Sequence, residues 1–503
     1  MNLVGLIDSN VRKAPDKDCL RYQGKGYSYQ AIKELSERAA GIFQSWGLKK
    51  GDKVSIMSQN TPNFVVAFYG TLKAGGVVVP INHKLMAPEV DYILAHSESR
   101  IMLFDGSLKD VAAKLTVPVR RVAMDSPAEG FDQLESMLDQ APAFSPVAIA
   151  DEDLAEILYT SGTTGKPKGC MHSHRNVIMA GVTMALAGKF DENDRIMMAM
   201  PIWHSSPLNN WFIGIQYAGG TTVMIREYHP LHFLKAIQDE RCTAYFGAPI
   251  SFTMPVQMIP TFDAFDLSSM RLWMYGGGPI AGDTALMLMK KYKSDQFYQC
   301  YGMTEAGPTG TVLFPRDQVR KAGSIGRYGL PGCDVMVMKS ATEKAGVGEV
   351  GEIWLKADSM MTGYYKNPEA TAEVFADGWY KTGDVARLAE DGYLFIADRT
   401  KDMIVTGGEN VYSKEVEDII AAHPDVVEAA VIAVPHPEWG ETVAAIVVTA
   451  KDKALTAETL SAFLADKLAK YKIPKTYKFV EALPHTPSGK VMKYKLREAY
   501  HQA

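Results

Sequence analysis

Between residues 53 and 105 the chain alternates short apolar runs with a helical period, and this alternation restricts the fold more than any other feature. VSIM, GGVVVPI and RIMLF have the length and composition of strands, while FVVAFYGTLKAG between the first two repeats its apolar positions at helical spacing. Strand, helix, strand in that order predicts βαβ units, whose parallel strands bury both faces. Just upstream, Ile32, Leu35, Ala39, Ile42, Phe43 and Trp46 recur at steps of three and four. Ser28 stands at the N-cap position of that helix, and Gly47 ends it. The expected class is α/β, with a large N-terminal domain of doubly wound sheets.

The texture changes near residue 400. DRTKD is a compact charged run, and beyond it come a helical pattern (SKEVEDIIAAH), two apolar strands (VVEAAVIAV and VAAIVVT) and a second helix (TAETLSAFLADKLAK). A chain of 503 residues exceeds what one core usually supports. We therefore expect an N-terminal domain over 1–398, a hinge at 399–402 and a small α+β C-terminal domain over 403–503.

Composition removes several alternatives. A formal charge of -5 offers no basic face for nucleic acid. Cys19, Cys170, Cys242, Cys300 and Cys333 are odd in number, widely spaced and without a C-x-x-C, so neither a disulfide framework nor a zinc site is indicated. The N-terminus is charged where a signal peptide needs an apolar core, and VIMAGVTMALAG is too short to span a bilayer. A cytoplasmic protein without stable membrane insertion is expected.

The stretch YTSGTTGKPKG, Tyr159 to Gly169, follows the strand-like run LAEIL. Its glycines let backbone N–H groups converge, and Thr160, Ser161, Thr163, Thr164, Lys166 and Lys168 add donors, a combination suited to a polyphosphate. The spacing is not that of the G-x-x-x-x-G-K-[ST] loop, because Gly162 and Gly165 are only three apart and Pro167 follows Lys166. A P-loop kinase or GTPase is disfavoured.

TSGTTGKPKG resembles the phosphate loop of the acyl-adenylate-forming enzymes, which include acyl-CoA synthetases, luciferases and peptide-synthetase adenylation domains. Further motifs occur in family order: PIWH (201–204), YGGGP (275–279), YGMTEAGP (301–308), GEIWLKADSMMTGYYKNPEAT (351–371), GWYKTGD (378–384), DRTKDMIVTGGENVYSKEVE (398–417) and PSGK (487–490). The resemblance implies a small β-rich subdomain within the N-terminal domain and a mobile C-terminal domain. It implies an ATP-dependent enzyme that converts a carboxylic acid to acyl-AMP and then to the CoA thioester. ATP, Mg²⁺ and coenzyme A are thus the implied small-molecule partners, and a homodimer is compatible with the family.

Site roles follow by the same resemblance. Thr160, Ser161, Gly162, Thr163, Thr164, Gly165 and Lys168 would cradle the β and γ phosphates. Thr304 would contact the α-phosphate and Glu305 would hold Mg²⁺; taken alone, Glu305 is an ordinary solvated loop carboxylate. Tyr301 would stack on adenine, with Gly276, Gly277 and Gly278 passing close to the base, and Asp384 would accept from the ribose hydroxyls. Arg399 and Lys401 sit at the expected hinge. Lys490 would reach the reacting carboxylate and α-phosphate, supplying positive charge where one anion attacks another. Gly407 and Gly408 would line the pantetheine channel, and Trp439 and Tyr471 would lie near the CoA nucleotide.

His204 would stand between acyl pocket and thioester channel. Ser205, Ser206, Asn210, Trp211, Tyr245 to Ala248, Tyr275, Gly276, Cys300 and Pro308 would bound the pocket. None of these offers an ion partner to an amino group, so an amino acid is disfavoured. Ser206 and Cys300 stand where plant coumarate ligases carry an aromatic residue and a glycine. The preferred acid is a medium- to long-chain fatty acid. The alternatives are an aryl acid (benzoate or coumarate-like), transfer to a separate carrier protein, and a non-catalytic relative. Against the last, the phosphate loop, Glu305, Asp384, Arg399 and Lys490 are all present.

Overall fold

A computed structural model describes residues 1–501 except 161–166, 279, 400–401, 407–408, 437–439, 452, 454, 466, 469 and 486–490. The predicted N-terminal elements form. Ser28 caps the Tyr29–Ser45 helix by accepting from Ala31 N at 3.1 Å, and Thr61 caps Pro62–Lys73 from Phe64 N at 3.2 Å. Strands Lys53–Met57, Val77–Ile81 and Ser99–Asp105 pair in parallel, as the alternation requires.

They belong to an eight-stranded sheet, which continues from Val77–Ile81 through Leu154–Thr160 and Lys168–Ser173 to an edge at Gly363–Tyr364. A nine-stranded sheet carries Phe297–Gly302, Leu272–Tyr275, Ala244–Gly247, Arg195–Met198 and Thr221–Met224 side by side, all parallel.

The strand period of two sorts each strand between layers. Val54, Ile56, Val78 and Ile101 from one sheet meet Ile196, Met198, Ala244, Phe246 and Met274 from the other in a single core, with helices between them. Their neighbours face outward. Val77, Val79 and Met102 pack under the Ala87–Ser97 helix, and Tyr245, Trp273 and Tyr275 pack under helices Pro230–Glu240, Pro249–Met258 and Gly282–Lys291. Each fully buried aliphatic side chain is worth about 2 kcal/mol of transfer free energy, against less than about 1 kcal/mol for an exposed ion pair. Layer packing therefore dominates the fold.

A third, five-stranded sheet contains Val350–Ala357, Trp379–Leu388 and Leu394–Arg399 and forms a small β-rich unit. In the C-terminal region Val426–His436 and Gly440–Thr449 pair antiparallel. Val416, Ile420, Leu460 and Leu464 cover one face of this sheet, and Leu496 and Tyr500 of the Lys493–His501 helix pack on the other. No helix among the described residues is long and apolar enough to cross a membrane.

Candidate active site

Strands Leu154–Thr160 and Lys168–Ser173 form an antiparallel hairpin whose last pair is Thr160 with Lys168, and the Thr160 hydroxyl donates to the Lys168 carbonyl at 3.4 Å. Ser161, Gly162, Thr163, Thr164 and Gly165 lie outside the described residues. Strand Gly363–Tyr364 pairs with the second hairpin strand, setting Tyr364 opposite Cys170. The Lys168 ammonium sits 4.4 Å from the centre of the Tyr364 ring, a cation–π contact. The Tyr364 hydroxyl donates to Glu305 Oε1 at 3.1 Å, and Met361 N donates to the Glu305 carbonyl at 2.9 Å.

Thr304, beside it, shares a 2.8 Å hydrogen bond with the Ser205 hydroxyl. Ser205 opens a π-helical turn, Ser206–Phe212, a geometry that recurs at functional sites. The residues before it are held from beneath. Asn60 accepts from Ile202 N at 2.7 Å and donates to the Met200 carbonyl at 3.0 Å, while the Trp203 indole donates to His83 Nδ1 at 2.9 Å. His204 projects outward, exposed, with its ring centre 5.7 Å from that of Trp203.

Gly276 is required by close approach, since a Cβ there would lie 2.5 Å from Cys300 Sγ and 2.8 Å from the Cys300 carbonyl. Gly277 has φ +74°, the left-handed region that favours glycine, and opens to free space; Gly278 follows it. Tyr301 donates its hydroxyl to Asp384 Oδ2 at 2.8 Å, joining the nine-stranded sheet to the β-rich unit. Asp384 is buried and pairs in register with Arg399, whose side chain is outside the described residues. Lys401, Gly407, Gly408, Trp439 and Lys490 also lie outside them.

The expected pocket boundary needs correction at Tyr245 and Tyr275. Alternation along their strands turns both toward the outer helices: Tyr245 packs at a tilt against Phe233 and Phe252, and Tyr275 donates to Gln318 Oε1 at 2.8 Å. Phe246 faces the opposite way, with the Trp211 ring stacked on it at 5.6 Å and Phe190 5.4 Å from Trp211.

A buried polar group under the hairpin was not anticipated. Glu156 and His172 are cross-strand partners, both fully buried, and Asn209 of the π-helical turn donates to Glu156 Oε1 at 2.5 Å. Burial pushes the Glu156 carboxyl up to about 7 and His172 down to about 4. Glu156 was hidden because LAEIL reads as one apolar run; the single charge inside it was the available signal.

No group of three or more His, Cys, Asp or Glu among the described residues could cage a metal. The donor set fits Mg²⁺ brought by a nucleotide, which takes one or two carboxylates, phosphate oxygens and retained waters. Glu305 offers a carboxylate of that kind, with one oxygen accepting from the Tyr364 hydroxyl at 3.1 Å.

Residues 7–365 match the AMP-binding enzyme family and residues 415–490 match the AMP-binding enzyme C-terminal domain. A feruloyl-CoA synthase from Amycolatopsis sp is 35% identical over 493 residues, covering 97% of each chain. The long-chain-fatty-acid–CoA ligase FadD13 of Mycobacterium tuberculosis is 35% identical over 479 residues, covering 94% of this chain and 93% of that one. The ATP-bound crystal structure of MatB from Rhodopseudomonas palustris, 33% identical, matches with a TM-score of 0.89 over 99% of both chains. The apo crystal structure of the same protein gives 0.77 over the same coverage. The fold thus superposes more closely on the ATP-bound structure than on the apo structure. Its similarity extends over nearly the whole length of both curated relatives, and the chain belongs to the AMP-binding enzyme family as an AMP-forming acid–thiol ligase.

Proposed function

We propose that this protein activates a hydrophobic carboxylic acid with ATP, releasing pyrophosphate, and transfers the acyl group from acyl-AMP to coenzyme A. The observation that carries the nucleotide half is that Tyr364 holds both groups, Lys168 over its ring and Glu305 at its hydroxyl. A cation for phosphate and a carboxylate for metal then meet at one triphosphate. Mg²⁺, when bound, would neutralise charge on the phosphates as the acid attacks. Thr160 and Lys168 orient the β and γ phosphates, and Thr304 the α-phosphate, with its hydroxyl fixed by Ser205. Tyr301 and Asp384 hold adenosine. Lys490 supplies the compact positive charge at the reacting carboxylate, which lowers the cost of bringing two anions together.

For the thioester step the C-terminal domain, 403–503, turns about 399–402, withdrawing Lys490 and bringing Gly407 and Gly408 toward the pantetheine arm. His204 stands at the boundary of acyl site and thiol channel. Trp439 contacts the CoA nucleotide. We place the site in the cytoplasm, and a homodimer is compatible with this reading.

The acid we propose first is a medium- to long-chain fatty acid, since Phe190, Trp211 and Phe246 pack ring to ring as an apolar wall. The flat Trp211–Phe246 stack favours a second reading, an aryl acid packed against that wall. Incubation with ATP, Mg²⁺, CoA and an equimolar mixture of acetate through palmitate, benzoate and coumarate, followed by mass spectrometry, separates these. A narrow set of fatty acyl-CoA products with AMP supports the first reading, and coumaroyl- or benzoyl-CoA the second. Acyl-AMP accumulating without thioester would sink CoA as acceptor. Lys490→Ala is expected to lose adenylation and to retain thioester formation from supplied acyl-AMP.

A further inference from the structure

Tyr364 lies in the segment 361–365, which is bound to two separate parts of the candidate site. Toward the hairpin, Thr362 N donates to the Met171 carbonyl at 2.9 Å and Tyr365 N to the Gly169 carbonyl at 2.7 Å, so the segment follows the strand that leaves the phosphate loop. Toward Glu305, it grips backbone through Met361 N and carboxylate through the Tyr364 hydroxyl. The phenol itself is 3% exposed. Its oxygen lies 3.4 Å from that of Tyr380, buried beside it in the cluster with Cys170 and Met361. With Tyr364 donating to Glu305, Tyr380 is left to donate to Tyr364, a relay in which each bond polarises the next.

We infer that Tyr364 is a positioning residue for metal-assisted adenylation: its hydroxyl occupies Glu305 Oε1 and so orients the carboxylate toward the cation, while its ring fixes the Lys168 ammonium. The inference rests on the reading of Glu305 as the Mg²⁺ ligand. Two features distinguish it from simple core packing. A buried hydroxyl aimed at a carboxylate is directional, and a phenylalanine would fill the same volume. The Lys168 contact is to the ring face, so hydroxyl and ring act on different partners and are separable by substitution.

Removing a partner that orients a metal ligand typically weakens metal affinity by tenfold or more, so Tyr364→Phe should raise the half-saturating Mg²⁺ concentration roughly tenfold. The readout is calorimetric binding of α,β-methylene-ATP to the full chain across a Mg²⁺ titration. Adenylation measured by pyrophosphate exchange should recover at saturating Mg²⁺, which a packing defect would not allow. Tyr380→Phe should shift the Mg²⁺ dependence in the same direction by less. An unchanged half-saturation in Tyr364→Phe overturns the inference. Glu305→Gln separates the two claims: if it too binds nucleotide with wild-type Mg²⁺ dependence, the assignment of Glu305 fails. If Glu305→Gln loses that dependence while Tyr364→Phe keeps it, only the role of Tyr364 fails.

Discussion

The Tyr301 hydroxyl donates to Asp384 Oδ2 at 2.8 Å, tying the C-terminal end of the Phe297–Gly302 strand to the middle of Trp379–Leu388. Two residues 83 apart in sequence are thereby set as one unit. A bond to a charged acceptor is worth about 1.5–3 kcal/mol, and losing it frees the carboxylate to rotate. Tyr301→Phe keeps the ring and is expected to lower kcat/KM for ATP about tenfold, mostly through KM, while Asp384→Ala should cost considerably more. Equal effects of the two substitutions in steady-state kinetics would show that the hydroxyl, not the carboxylate, is the contact that matters.

Asn60 is 1% exposed, accepts from Ile202 N and donates to the carbonyls of Met198, Met200 and Ile225. It binds the end of Lys53–Met57 to the loop that presents His204. Asn60→Ala orphans several buried backbone groups at once, and we expect destabilisation of about 3 kcal/mol together with a raised KM for the acid. Denaturant unfolding reads the first effect. Full stability in the variant would mean that the loop finds other partners.

Glu156 gives a pH dependence of known sign. Its folded value of about 7 exceeds the ordinary 4.5, so the folded state holds a proton that the unfolded chain has already released. Stability from this group is therefore fully present below 4.5, falls as pH rises toward 7 and is constant above it. Glu156→Gln removes the decline, so its advantage over wild type should grow between pH 5 and pH 8 by on the order of 3 kcal/mol. His172, lowered by burial, slopes the other way between about 4 and 6.5, which is why the comparison must be between variant and wild type. An advantage equal at both pH values would exclude ionisation of Glu156 as its cause.

The parts of this molecule legible in sequence were those where one residue type has one physical role. Ser28 before an apolar period marks a helix start, and VSIM, GGVVVPI and RIMLF could form little except buried parallel strands. The YGMTE and KTGD stretches announced Tyr301, Glu305 and Asp384, and the fold brings Tyr301 to Asp384. Facing was harder to read. Tyr245 and Phe246 are adjacent and equally aromatic, and only strand register decides that Phe246 meets Trp211 while Tyr245 joins the outer layer. Tyr364 belonged to a quoted motif, yet its link to Glu305 spans 59 residues and no local pattern encodes it. Glu156 was masked by the apolar residues around it.

The hinge proposed at 399–402 has a partner that bears on the second half-reaction. Asp402 is 9% exposed and ion-paired to Arg497 of the Lys493–His501 helix, while Lys493 of the same helix lies 2.7 Å from Glu417. The C-terminal end of the proposed hinge is thus tied to the Lys493–His501 helix. The rotation proposed for the C-terminal domain would then be confined to the N-terminal side of Asp402. Loosening the clamp spreads the motion and lets the domain turn without reaching a defined second position. Arg497→Ala is expected to slow thioester formation from supplied acyl-AMP about tenfold, with adenylation changed less than about twofold, because only the former needs the new position. Single-turnover measurement of each half-reaction decides it. Equal losses in both would mean that the Asp402–Arg497 pair serves the stability of the C-terminal domain and not its movement.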